Sequence, residues 1–342
     1  MTRTTYSKPG SDVAGHTAKL AADNAGLLAR QTAIAQALQG RPPRTRCLLC
    51  DTPLPGTGHF SHRGVPYAAC GVCSHVQCAV LPPDGYPGAA QDFADIYRPL
   101  DKSAYQARTQ SIYLPKIEWA LAAALEQGLG DLRERTWFEL GAGAGNSLHA
   151  LALSGVPKTA GIEAEETLVQ QAADALGAPL VQHFTGTLAE AARQNTADIY
   201  VAWFVLEHCF SLPAFFGAMR DKPKGTLFLF AVPTFGFATL LECAVTGHYA
   251  RNLDSVLHLQ LFTDDSIRYA LDSAGYRIGA EWIFGQDADD LYRVIANGLL
   301  GKMPKKLSSR EEARLQEALA QIQPILDRAR LADARHVLAI KT

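Results

Sequence analysis

The stretch Trp137-Phe138-Glu139-Leu140-Gly141-Ala142-Gly143-Ala144-Gly145-Asn146-Ser147 constrains the fold more than any other part of the chain. A short apolar run reaches an acid, enters a glycine loop of the form E-L-G-x-G-x-G, and opens into a helix-like segment over 147–153. Strand, glycine turn and helix in that order are how a doubly wound α/β sheet opens a nucleoside pocket. Glycines take positive φ without Cβ strain and let backbone approach a ligand. The dinucleotide fingerprint G-x-G-x-x-G instead aims helix N–H groups at a pyrophosphate. Here the third glycine comes one residue early, and Asn146 stands where the last fingerprint glycine would be. Such a loop suits a nucleoside with a charged amino-acid end and no pyrophosphate.

From Thr136 onward the chain alternates strand and helix patterns, which predicts a parallel sheet with crossovers. Strands are expected at 136–140, 158–163, 180–184, 198–204 and 225–232. A helix over 263–274 leads into a strand at 276–284. A helical insertion over about 287–330, broken at Pro304 and Pro324, precedes strand character at 336–340. Segments 277–284 and 334–341 are read as one antiparallel pair closing the sheet.

Glu163 ends the second expected strand, 18 residues beyond Gly145. A carboxylate there can accept both ribose hydroxyl hydrogens; the alternative is a solvent-facing acid beside Glu165 and Glu166. The fourth strand ends in Trp203-Phe204-Val205-Leu206-Glu207-His208. Glu207 is expected to complement a helix dipole, and His208 to be a second acid–base group. An excursion over 233–257, without readable periodicity, ends in Asp254-Ser255-Val256-Leu257-His258-Leu259-Gln260-Leu261-Phe262-Thr263.

These motifs resemble the class I S-adenosylmethionine-dependent methyltransferases. Their first motif matches the glycine loop, and their fourth is an apolar turn running into Leu-Glu-His. The resemblance implies S-adenosylmethionine held by Glu139, Gly141, Ala142, Gly143, Gly145 and Asn146. Glu163 and Ala164 would lie at the ribose, Gly186, Thr187 and Leu188 at the adenine, and Trp203, Phe204 and Val205 around the methionine portion. Similar methyltransferases of small molecules and sugars carry Pro-Arg-His-Leu followed two residues later by Phe-Ser or Phe-Thr. This chain matches at His258, Leu259, Phe262 and Thr263, which makes His258 the expected general base, since imidazole titrates near neutrality. Sugar C-methyltransferases carry Tyr-His-Glu-His near this position. Ser255, Val256 and Leu257 occupy the first three of those places, so O-methylation is expected, with sugar C-methylation as an alternative. Two further alternatives are an NAD-dependent oxidoreductase and a non-catalytic, zinc-anchored nucleoside-binding protein.

Ahead of the sheet, Cys47-Leu-Leu-Cys50 and Cys70-Gly-Val-Cys73 form two C-x2-C knuckles separated by 19 residues. That spacing predicts a structural zinc on Cys47, Cys50, Cys70 and Cys73, because four thiolates fill a tetrahedral sphere. His59, His62, His75 and Cys78 lie nearby but are surplus to a complete set. A redox role is disfavoured, since neither knuckle heads a helix after a strand. A similar order of zinc module, linker and methyltransferase domain occurs in bacterial sugar and natural-product methyltransferases, including enzymes of polysaccharide biosynthesis.

The expected architecture is therefore α/β: a Rossmann-like, doubly wound, seven-stranded sheet with an antiparallel last strand, preceded by a zinc module and N-terminal helices. Its boundaries fall at 1–45 (helical), 46–80 (zinc module), 81–135 (linker and helices) and 136–342 (methyltransferase domain). Alanine-rich residues 13–38 predict a helix that Gly40-Arg41-Pro42-Pro43 stops; it either packs on its own chain or makes a homodimer. Formal charge is −2, and the interknuckle loop offers only Arg63 and two histidines, so no nucleic acid is expected. No apolar run reaches the roughly 18 residues of a membrane span, and residues 1–15 lack a secretory core. A cytoplasmic enzyme acting on a small-molecule or sugar acceptor is the expectation.

Overall fold

A computed structural model describes residues 2–8, 24–56, 58–82, 101–245, 247, 249–253, 258–298 and 307–342. Residues 9–23, with the first part of the helix expected over 13–38, residues 83–100, with most of the expected linker, residues 254–257 and residues 299–306 with Pro304 lie outside them.

The chain starts with strand β1 (Arg3–Tyr6), and helix α1 (Asn24–Leu38) follows. Three short strands, β2 (Phe60–His62), β3 (Val65–Ala69) and β4 (Val76–Cys78), surround the cysteines. Helix α2 (Lys102–Arg108) runs through a π-helical turn, Thr109–Tyr113, into α3 (Leu114–Glu126). Then come β5 (Trp137–Leu140), α4 (Asn146–Leu153), β6 (Thr159–Glu163), α5 (Glu166–Leu176), β7 (Val181–His183), α6 (Leu188–Gln194) and β8 (Ile199–Trp203). After them follow α7 (Leu212–Arg220), β9 (Leu227–Pro233), α8 (Phe237–Ala244), β10 (Gln260–Leu261), α9 (Asp264–Ser273) and β11 (Tyr276–Ile283). The insertion holds α10 (Asp287–Gly298), α11 (Ser309–Ala320) and α12 (Gln323–Arg328), where Pro324 sits in the first turn, and β12 (Ala334–Lys341) closes the chain.

The large sheet has the order β1-β11-β12-β9-β8-β5-β6-β7. Strands β5 to β9 are parallel to one another, while β12 runs antiparallel to both β9 and β11. The antiparallel closing pair is as expected. The strand count is a correction: eight, not seven. The extra edge is β1, whose Arg3–Tyr6 pairs in parallel with Ala280–Ile283; four residues are too few for a period-2 pattern to stand out. The chain leaves β5 toward β6 and β7, then returns to place β8 on the other side of β5. This switch point is where open α/β sheets form ligand crevices at their strand ends.

Strands β8 and β9 are buried throughout, which explains their continuous apolar runs. Side chains alternate between faces. Phe138, Leu140, Tyr200, Phe228 and Phe230 point one way, onto α6, α7 and α9. Trp137, Val201, Trp203, Leu229 and Leu338 point the other way, under α3 and α4. Each large apolar side chain fully buried here contributes roughly 1.5–3 kcal/mol. Among the described residues, no helix is long and apolar enough to cross a membrane.

A second, antiparallel sheet has the order β10-β4-β3-β2. Its outer strand β10 comes from the C-terminal half, with Gln260 opposite Gln77 and Leu261 opposite Val76. The four cysteines share a cluster with Phe215, Phe216, Ile267 and Leu271 of α7 and α9, so the knuckles are packed onto the large sheet's own helices.

Candidate functional site

The glycine loop leaves the end of β5 and turns over the switch point. Gly141 has φ +71°, and a Cβ there would lie 2.8 Å from a Val205 methyl; the loop and the turn after β8 are thus in close contact. Gly143 has φ +53° with nothing within 4 Å of where a Cβ would be, so its backbone faces open space in a conformation that suits glycine. Gly145, also left-handed, caps α4.

Glu163 closes the crevice from the end of β6. Its Oε2 accepts from Gly143 N at 2.8 Å, and its Oε1 from Ala164 N at 2.7 Å and Glu165 N at 3.1 Å. Three of roughly four acceptor sites on the carboxylate therefore organise the loop and the start of the following turn. Asn146 is engaged elsewhere: its Nδ2 donates to Tyr105 O at 3.2 Å and Thr109 Oγ1 at 2.9 Å. It fastens α4 to the preceding helices. Glu139 is buried beneath the loop, and burial pushes its carboxyl well above the usual range, opposed by a Ser147 hydrogen bond and by Lys116. Gly186 and Thr187 lie exposed beyond β7, with Leu188 half-buried; Thr187 forms a capping box with Glu190 at the start of α6.

Trp203 ends β8 and donates from Nε1 to Ser147 Oγ at 3.1 Å. Phe204 has φ +56°, an uncommon conformation for an aromatic residue and one that clusters at functional sites. The next residues form one 3-10 turn, Leu206–His208, and not the start of a longer helix. That turn brings Glu207 and His208 to His258. The two imidazole centroids are 5.2 Å apart, and Glu207 Oε1 lies 4.0 Å from His208 Nε2. One ligand atom from each of the three residues falls within 4.8 Å of the others, a two-histidine, one-carboxylate set that divalent metals also favour.

Burial pushes the Glu207 carboxyl up to about 8, with Lys116 opposing. Burial, then the nearby His208, push His258 down to about 3 against a hydrogen bond with the Asn252 backbone. Both groups are thus held neutral, and Glu207 Oε2 and His258 Nδ1 are buried without a hydrogen-bond partner. Two anchors hold the segment carrying His258. Upstream, Glu242 accepts from the N–H groups of Arg251, Asn252 and Leu253 at 2.7, 2.8 and 3.0 Å. Downstream, Gln260 Nε2 donates to Leu206 O at 2.9 Å and Cys209 O at 2.7 Å, while its Oε1 meets His75 Nε2 at 2.7 Å.

The four cysteines form a compact cluster: Cys47 and Cys73 sulfurs are 3.6 Å apart, and Cys50 and Cys70 sulfurs 3.5 Å. No disulfide links them. A tetrahedron of Zn–S bonds of about 2.3 Å has sulfur–sulfur edges of about 3.8 Å, so the thiols fit a zinc ion. In each knuckle a backbone N–H two residues on, Leu49 to Cys47 and Val72 to Cys70, points at sulfur at 3.4 Å. His59 and His75 are engaged with Ala69 N and Gln260, in line with a four-thiolate set.

Sequence reasoning missed Lys116, Glu242 and Gln260. Lys116 alone left a signal, as a lysine on the apolar stripe of α3 shared with Ile117, Ala120 and Ala124, all buried.

Strand order, switch-point crevice, glycine loop and terminal carboxylate together define a doubly wound α/β protein built to hold a nucleoside-type ligand. Residues 112–281 match the family model described as a methyltransferase domain. The chain is a class I S-adenosylmethionine-dependent methyltransferase. The open backbone at Gly143 and the Glu163 carboxylate bonded to it fit that donor. Three solved structures are similar in shape. A Galdieria sulphuraria protein assigned as a sarcosine dimethylglycine methyltransferase is 15% identical, with TM-score 0.45, covering 74% of this chain and 98% of that one. Magnesium protoporphyrin IX methyltransferase from Synechocystis is 12% identical, with TM-score 0.44, covering 76% and 97%. A SAM-dependent methyltransferase from Archaeoglobus fulgidus is 14% identical, with TM-score 0.37, covering 64% and 94%. No curated protein matches the sequence.

Proposed function

We propose that this methyltransferase acts on a hydroxyl oxygen of a small-molecule or sugar acceptor in the cytoplasm, with His258 as general base, and that Cys47, Cys50, Cys70 and Cys73 hold a structural zinc. The observation that supports this reading best is the meeting of His258, His208 and Glu207 at the end of β8, beside Trp203 and Phe204.

The donor, when bound, supplies a methyl group on a sulfonium whose positive charge disperses as the methyl leaves. Gly141, Gly143 and Glu163 cradle its nucleoside end, and Trp203 and Phe204 keep water from the reacting atoms. Most of the rate comes from aligning acceptor oxygen, methyl and sulfur. His258, held neutral, takes the hydroxyl proton as the oxygen attacks. An imidazole pushed down to about 3 is a weak base by itself. Glu207 corrects this: ionised once a cation lies beside it, its carboxylate favours positive charge on both neighbouring imidazoles. The zinc module lies directly behind the turn carrying His208 and braces it through Gln260.

The test is a panel of nucleotide sugars, glycans and phenols incubated with methyl-labelled donor, with product mass and linkage read by mass spectrometry and NMR. A methyl ether formed by wild type and lost in His258→Ala supports the reading. A carbon-linked methyl, or undiminished turnover by His258→Ala, overturns it.

A further inference from the structure

Lys116 lies inside the molecule, 4% exposed. Its Nζ is 5.1 Å from the Tyr113 ring centroid, 5.4 Å from Trp203 and 4.9 Å from Phe204. Three π faces attract an ammonium, but none replaces the hydrogen bonds it gave up on leaving water. Among the described residues, no oxygen accepts a hydrogen bond from Nζ or pairs with it as an ion. Glu139 and Glu207 act on Lys116 electrostatically, while Lys8 and Arg108 oppose its charge. The result is a desolvated cation, its pKa down to about 7 chiefly through burial, enclosed by rings and without an ion pair.

This lysine borders the donor crevice. Trp203, one wall of the cage, donates to Ser147 in the first turn of α4, directly after the glycine loop. Ser147 also serves Glu139, whose Oε2 is buried without a partner. The crevice thus carries at one end a lysine without an ion pair and a buried carboxyl oxygen without a hydrogen-bond partner. The amino-acid end of S-adenosylmethionine carries the matching pair, a carboxylate and an ammonium.

We infer that Lys116 binds the carboxylate of the donor's amino-acid moiety, making it a cofactor-binding residue. The inference rests on the crevice being the donor site. An anionic acceptor is the competing source of a carboxylate, and the experiment separates the two without any acceptor present.

Calorimetric titrations compare S-adenosylhomocysteine with its decarboxylated analogue, S-adenosyl-3-thiopropylamine, on wild type and on Lys116→Met. A charged hydrogen-bonded contact corresponds to about a 10- to 100-fold preference of wild type for the carboxylate form. Lys116→Met should bind both ligands alike, within about threefold. Its melting temperature should equal or exceed that of wild type, because a buried unpaired cation is replaced by an apolar side chain of similar length; Lys116→Gln provides a second variant. Wild type binding both ligands equally, or either variant retaining the full preference, overturns the role of Lys116. Wild type binding neither ligand overturns the donor site itself, and the inference with it.

Discussion

The imidazoles of His208 and His258 face each other at 5.2 Å between centroids, inclined by 36°, although one follows β8 and the other precedes β10. Neither segment alone brings two imidazoles together; the fold does. His258→Ala should lower kcat by about 10²- to 10⁴-fold while leaving the affinity for S-adenosylhomocysteine within about threefold. His208→Ala should lower kcat less and displace the acidic limb of the pH–rate profile. Matched losses of kcat and donor affinity in His258→Ala would point to a collapsed loop and not to a missing base.

Glu207 gives the protein a pH-dependent stability with a defined sign. Burial pushes its folded carboxyl from an ordinary value of 4.5 up to about 8. The folded chain therefore keeps a proton that the unfolded chain releases. The contribution is complete below about pH 4.5 and is lost as pH rises toward 8, at no more than about 1.4 kcal/mol per pH unit. Glu207→Gln stays neutral throughout, so its Tm relative to wild type should climb between pH 5 and pH 8. A constant Tm difference across that window would mean that Glu207 ionises as freely as a surface acid.

Glu163 should matter for donor binding before it matters for chemistry. Glu163→Ala strands the N–H groups of Gly143, Ala164 and Glu165 and so loosens the glycine loop. S-adenosylhomocysteine should bind roughly 10- to 100-fold more weakly by calorimetry. Gly141→Ala should produce a comparable loss, because its Cβ at 2.8 Å from Val205 and φ of +71° force the loop away from the β8 turn. Wild-type affinity in both variants would remove the loop from the donor site.

Metal analysis should return one zinc per chain, absent in Cys70→Ser. Loss of the ion should lower the melting temperature sharply, since a structural zinc contributes on the order of 10 kcal/mol. Gln260→Leu tests the link between the knuckles and the reaction. It keeps the metal but breaks the bonds to Leu206, Cys209 and His75, so kcat should fall about tenfold or more with zinc content unchanged. Full turnover in Gln260→Leu would separate the module from catalysis.

What was legible in the sequence was local chemistry. Glycines at 141, 143 and 145, the paired cysteines and the alternation from Thr136 each impose a backbone geometry or ligand set by themselves. What stayed hidden depends on partners distant in sequence. Lys116 stands out only as a lysine on an apolar helix stripe, and its cage exists only once Trp203 and Phe204 close over it. Glu207 reads as an acid at a helix start, but the turn that contains it is only three residues long in the folded chain. The excursion after β9 shows no period, yet it folds α8, whose Glu242 binds three successive N–H groups. Strand β1 is recognisable only beside Ala280–Ile283.

Because β10 finishes the cysteine-bearing sheet while belonging by sequence to the enzymatic half, the border between the two halves is a border in the text and not in the folding unit. A chain trimmed to begin after β4 would leave a bare strand edge on β10, and Gln260 without His75. Such a fragment should be poorly soluble, and a natural relative that discards the cysteines would need another segment to take over that edge.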